Sequence, residues 1–65
     1  MTVQVNGEPR SLPDGASVSD LLADLKLTSD KVAVELNRRL LRSDRYDASL
    51  KEADVLEVVT FVGGR

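Results

Sequence analysis

The chain opens on an alternation. In Thr2, Val3, Gln4, Val5 and Asn6 the two valines share one face and the polar residues the other. That is the two-residue period of a half-buried strand. Asn6-Gly7 follows at once. Both residues tolerate the positive φ angles of a type I′ turn, so the pair predicts a tight hairpin. Residues 8 to 12 then form the returning strand, with Leu12 as its inward contact. Pro9 has no N–H to give to a ladder, which places this strand at a sheet edge.

Pro13-Asp14-Gly15 breaks the chain, and the period changes after it. Ser17 offers an N-cap, with Asp20 three residues on as an acidic partner. Val18, Leu21, Leu22 and Leu25 recur at the spacing of one helical face. The pattern predicts a helix over about 17–27, ended by Thr28-Ser29-Asp30, with Asp20 and Asp24 toward solvent. A third strand runs from Val32 to Asn37, with Val32, Val34 and Leu36 inward. A turn near Asn37-Arg38 leads to a short segment around Leu40-Leu41. Residues 43–53 lack a clean period and read as loop with one helical turn. Residues 55–62, VLEVVTFV, are apolar at almost every position. Such a run fits a central strand covered on both faces, or nearly so. A hairpin, a helix and further strands imply an α+β fold with the helix on one sheet face. The last strand belongs in the middle, beside the first, with the helix across both.

Composition narrows the chemistry. The chain has 65 residues, 9 basic and 11 acidic, with no His and no Cys. It is one small domain, expected to span residues 1–62. There is no imidazole base, no thiolate and no Cys/His zinc site. So short a chain can hardly enclose both a core and a substrate pocket, which argues against a self-contained enzyme. Asp20, Asp24, Asp44, Asp47, Asp54 and Glu57 show no metal-loop spacing and read as solvated surface. A net charge of −2, with one Tyr and one Phe, argues against a nucleic-acid partner. No apolar run reaches the roughly 18 residues of a membrane span. The start lacks the layout of a secretion signal, so a cytoplasmic protein is expected. Arg38, Arg39, Arg42 and Arg45 cluster. They suit either an acidic partner or an edge strand blunted by charge.

The end of the chain is unusual. A predicted central strand runs straight into Val62-Gly63-Gly64-Arg65. Two glycines without side chains can thread a narrow channel of another protein and take backbone angles closed to other residues. A terminal glycine carboxylate is unhindered, so ATP can activate it as an acyl adenylate. Residues 63–65 are expected to be a flexible tail on a rigid base.

The VQVNGEPRSL hairpin, DLLADL helix, VAVELN strand, RSDRY stretch, LKEADVLEVVTFV strand and Gly-Gly ending stand in this order in one short chain. Together they resemble the ThiS family, the sulfur carriers of thiamine biosynthesis, small β-grasp proteins related to ubiquitin. The resemblance covers essentially the whole chain. It implies a mixed four- to five-stranded sheet with one helix packed across it. It implies that Gly64 bears the reactive carboxyl. An E1-like enzyme would adenylate that carboxyl with ATP and magnesium. Sulfur from a cysteine persulfide, delivered by a cysteine desulfurase route, would make it a thiocarboxylate. Thiazole synthase would then receive the sulfur. Gly63 matches the glycine that enters both partner channels. The carrier would bind no cofactor stably, and the free protein is expected to be a monomer. Ubiquitin-like docking would use the open sheet face and the last strand, through Val59 and Phe61. Glu57 is the one charged break in that strand, so the 57, 59 and 61 face is expected to be the less buried one.

Three residues depart from the family pattern. The family ends in Gly-Gly, whereas this chain continues to Arg65. With Arg65 in place the Gly64 carbonyl is an amide and cannot be adenylated. The active form is therefore expected to end at Gly64, with Arg65 trimmed or artefactual; a paralogue without the chemistry is the alternative. Arg38 stands after Asn37 where the family often has Gly, which predicts a longer or different turn. Tyr46 stands where many members have Trp, and a buried Tyr needs a partner for its hydroxyl. Rival readings share the fold: the small subunit of molybdopterin synthase, a carrier for another metabolite, a protein-conjugation tag, or an interaction module without sulfur chemistry.

Overall fold

The computed structural model describes residues 1–61. The expectations for Val62, Gly63, Gly64 and Arg65 lie outside the described residues. Five strands and one helix follow in the order β1 (Thr2–Val5), β2 (Glu8–Ser11), α1 (Val18–Asp24), β3 (Val32–Leu36), β4 (Arg39–Leu41) and β5 (Val55–Thr60). The strands form one sheet in the order β2-β1-β5-β3-β4. Only β1 and β5 run parallel; the other neighbours are antiparallel. The α+β expectation holds, and β5 lies central beside β1 as its apolar sequence implied. β2, which carries Pro9, is an outer strand. No helix among the described residues is long and apolar enough to cross a membrane.

The helix starts where its cap residues predict. Ser17 Oγ accepts from the Asp20 N–H at 3.1 Å, and the Asp20 carboxylate accepts from the Ser17 N–H at 2.9 Å. This reciprocal capping box satisfies two N–H groups that no helical carbonyl can reach. The helix ends sooner than the 17–27 expectation. Its last helical residue is Asp24, and Leu25 caps it. The Lys26 N–H bonds the Ala23 carbonyl at 3.0 Å, and the Leu27 N–H bonds the Leu22 carbonyl at 2.8 Å. That pair is a Schellman closure, with Lys26 left-handed at φ 61. Leu27, which the period left outside the helical face, packs back against the core.

Val18, Leu21 and Leu22 of the helix meet Val3, Val5, Leu56 and Val58 of the sheet in one buried cluster. The irregular 43–53 stretch is a 3-10 turn, Ser43–Arg45, and loop. It is stitched to the helix start by Ser19 N–H on the Tyr46 carbonyl (2.8 Å) and Leu50 N–H on the Ala16 carbonyl (2.7 Å). Tyr46 is buried, and among the described residues no buried side-chain nitrogen or oxygen lacks a partner.

Two turns of the same form hold the sheet. Asn6 and Gly7 have φ of 53° and 84°; Asn37 and Arg38 have 52° and 71°. Both are two-residue type I′ turns, since β3 and β4 pair Leu36 with Arg39 directly. The expectation of a longer or different turn at Arg38 is thus corrected. The sheet twist demands this turn, and Arg38 accepts a left-handed conformation to supply it. That conformation costs a non-glycine residue about 1–2 kcal/mol. Arg38→Gly is expected to raise stability by about 0.5–1 kcal/mol, the relief being partly offset by the greater freedom of unfolded glycine. A thermal melt should show the midpoint rising by a few degrees; a lower midpoint would contradict the strain.

Candidate functional site: the open sheet face

The helix covers one face of the sheet and leaves the other bare. Along β5 only Leu56 and Val58 are buried; Val55, Glu57, Val59 and Thr60 are exposed. This corrects the expectation that 55–62 is covered on both faces. Among the described residues the one α-helix, of seven residues, lies on a single face and no element covers the second.

Register assembles the bare face. Val59 lies opposite Ala33, Glu57 opposite Glu35, and Glu35 in turn opposite Leu40. Val55 sits beside Gln4 of β1. Val59 is 58% exposed, Phe61 52%, Leu40 71% and Val55 43%, too open for any of them to be core. Val59 and Phe61 were the docking residues expected from sequence, and both are exposed on or next to this face. Leu40 and Val55 were missed. The signal for Leu40 was present: a two-residue turn at Asn37-Arg38 pairs it with Glu35, whose charge marks the outward side. Val55 shares the parity of 57, 59 and 61.

β5 is held firmly up to its last described residue. The Phe61 N–H bonds the Lys31 carbonyl at 2.8 Å. Asn6 Oδ1 accepts from the Val58 N–H at 2.8 Å, and Asn6 Nδ2 donates to the Val58 carbonyl at 3.1 Å. Asn37 repeats the device at the other end of the strand. Its Oδ1 accepts from the Val55 N–H at 2.9 Å, and its Nδ2 donates to Asp54 at 3.0 Å. β5 is thus clamped from both neighbouring hairpins.

The electrostatics are uneven. Glu35 and Glu57 oppose each other across β3 and β5, an arrangement that costs stability. Neither forms an ion pair among the described residues. Asp30, just before β3, has its carboxyl held below the ordinary value, chiefly by the Thr28 hydroxyl. The four arginines do not converge. Arg38 occupies a turn, Arg39 lies on outer strand β4, and Arg42 pairs only with Asp44 at 3.6 Å. An outer strand blunted by charge accounts for this placement. Among the described residues no group of His, Cys, Asp or Glu is arranged to hold a metal. A hollow of about 460 Å³ beside the helix start is lined by Asp14, Asp20 and Asp24, and it holds no nucleophile paired with a base.

The geometry is a rigid, clamped strand with an apolar open face and no catalytic set. The ThiS family model matches residues 3–64, so the match takes in Gly63 and Gly64 and stops before Arg65.

The chain belongs to the ThiS family.

Known ThiS relatives agree along the whole length. The sulfur carrier protein ThiS of Bacillus subtilis is 38% identical over 64 residues, covering 95% of this chain and 97% of that protein. The crystal structure of a ThiS thiamine biosynthesis protein from Geobacter metallireducens matches with a TM-score of 0.80 and 35% identity, covering 100% of both chains. The fold is therefore the ubiquitin-like β-grasp of ThiS, a family of sulfur carriers rather than catalysts. A thiazole synthase of Magnetococcus marinus is 40% identical over 65 residues, covering 98% of this chain. This chain spans only 20% of that protein's length.

Proposed function

We propose that this ThiS-family protein carries sulfur on Gly64 for thiazole formation in thiamine biosynthesis. The observation that carries the reading is the family match, which runs through Gly64. In the proposed cycle a Gly64 carboxylate oxygen attacks the α-phosphorus of ATP on an E1-like enzyme, with magnesium, and pyrophosphate leaves. The terminal sulfur of a cysteine persulfide, supplied by a desulfurase route, displaces AMP. A second thiol then cleaves the resulting acyl disulfide and leaves the thiocarboxylate. Thiazole synthase receives the sulfur. The thiazole synthase that contains a segment similar to this chain supports that partner. The chain supplies the carboxyl and the docking face; its partners supply the catalytic groups. We place the cycle in the cytoplasm, with a monomeric free carrier. Arg65 blocks the carboxyl as an amide, so the active form ends at Gly64.

Intact mass after incubation with the activating enzyme, ATP and magnesium tests this. The chain ending at Gly64 should gain an adenylate, and the chain ending at Arg65 should not. No adenylate on either would defeat the carrier reading, and an adenylate on the longer chain would defeat the requirement for trimming.

Docking through the open face carries its own prediction. Phe61→Ala should weaken binding to the activating enzyme by about tenfold or more, as loss of an aromatic anchor does. The melting midpoint should barely change, because Phe61 is already 52% exposed. Binding by isothermal titration and a thermal melt of the same sample decide the matter. A large fall in midpoint with unchanged affinity would return Phe61 to a structural role.

A further inference from the structure

The main-chain groups of β5 alternate between its two neighbours. Odd-numbered residues face β3, as the Phe61 N–H on the Lys31 carbonyl shows. Even-numbered residues face β1. The Leu56 carbonyl accepts from the Asn6 N–H at 2.9 Å, and Val58 offers both its groups to the Asn6 side-chain amide. β1 ends at Val5, and its hairpin turns away at Asn6-Gly7. The next even residue is Thr60. Its register with Val32 leaves its N–H and C=O pointing to the side β1 has vacated, where no partner stands among the described residues.

The gap has depth. On the helix side it adjoins a hollow of about 350 Å³ lined by Val5, Leu25, Leu27, Val58 and Thr60, with Glu8 and Arg10 at its polar side. Its other side borders the open face near Val59 and Phe61. The sheet's outer strands are guarded by Pro9 in β2 and by arginine in short β4. The β5 edge at Thr60 has no such guard. Two residues earlier on the same edge, the Asn6 side chain already stands in for a strand by exchanging both hydrogen bonds with Val58. The edge is therefore shaped to take a peptide-like donor and acceptor.

We propose that thiazole synthase lays an extended main-chain segment into this gap, pairing with Thr60 as an added strand where β1 stops. An apolar side chain of that segment enters the hollow against Leu25, Leu27 and Val58. The next side chain meets the open face beside Val59 and Phe61. The inference rests on the carrier reading for the identity of the occupant; the vacant edge itself does not depend on it.

Thr60→Pro removes the N–H and blocks the edge, while every bond from β5 to β3 remains possible. Thr60→Val keeps the N–H. Titrated with thiazole synthase, the proline variant should bind about tenfold more weakly than the valine variant, the worth of a main-chain hydrogen bond at an interface. Amide exchange on the unaltered chain gives a second readout that needs no variant to fold. The Thr60 amide should exchange freely alone and slow by about a hundredfold in the complex. Equal affinities with an unprotected Thr60 amide, while the unaltered chain still binds, would overturn strand addition and leave the carrier reading standing. Failure of the unaltered chain to bind thiazole synthase would overturn both.

Discussion

Leu56→Ala should remove about half of the chain's stability. Leu56 has no exposed surface and lies in β5, the central strand, against the helix and both neighbouring strands. Deleting three buried carbons there removes their transfer free energy and opens a cavity, at a cost of about 2–5 kcal/mol. A domain of this length has a total stability of only about 3–10 kcal/mol. No disulfide or metal among the described residues adds to it. The loss is thus about half of the whole. A urea titration followed by circular dichroism should show the midpoint falling by about half. A midpoint lowered by only a few per cent would mean that the sheet centre can collapse around the gap.

Asn6→Ala should be the most damaging substitution outside the core. The residue looks like a turn former, and at φ 53 it is one. Its amide also makes both hydrogen bonds to Val58, in part-buried surroundings. Alanine loses two bonds of about 1 kcal/mol each and leaves the Val58 groups with poorer partners. It also tolerates the left-handed turn less well, by about 1 kcal/mol. The sum is about 3 kcal/mol. Asn6→Gly separates the two effects, because glycine keeps the turn and loses only the amide. It should cost about 1 kcal/mol less than alanine. Thermal melts of the two variants, with amide exchange at Val58, give the comparison. Equal stability of both variants and the parent would remove the amide clamp from the account.

Much of this fold is readable from local chemistry. The Val3/Val5 alternation, Asn6-Gly7, the Ser17/Asp20 box and the helical leucines each specify their element through nearest neighbours in the chain. What escaped reading depends on distant residues. The helix stops at Asp24 because Leu27 finds the core, which no helical period encodes. The apolar run in β5 cannot say which of its faces is covered, since valine suits a buried face and a docking face equally. Glu57 alone broke the tie, in favour of the 57, 59 and 61 side. The second role of Asn6 and Asn37 was also out of reach: a side-chain amide that pairs with a strand some fifty residues away, as Asn6 does with Val58, leaves no mark on local pattern. At the candidate site, the exposure of Val59 and Phe61 is legible through parity, whereas the reading of Gly63 and Gly64 lies outside the described residues. Leu40 required the register of a turn that Arg38 disguised.

The position of β5 bears on how the molecule is made. It is the last strand in sequence and the middle one in space, and β1 and β3 meet only through it. Its pairing with β1 joins residues about fifty positions apart, so the decisive contact is among the slowest to form. While a ribosome still holds residues 55–60, the sheet lacks its centre and the chain has no fold to adopt. Structure therefore comes only with the strand that leads into Gly63 and Gly64. A product broken off before β5 remains an unfolded peptide, exposed to proteolysis. The topology couples being folded to having completed β5.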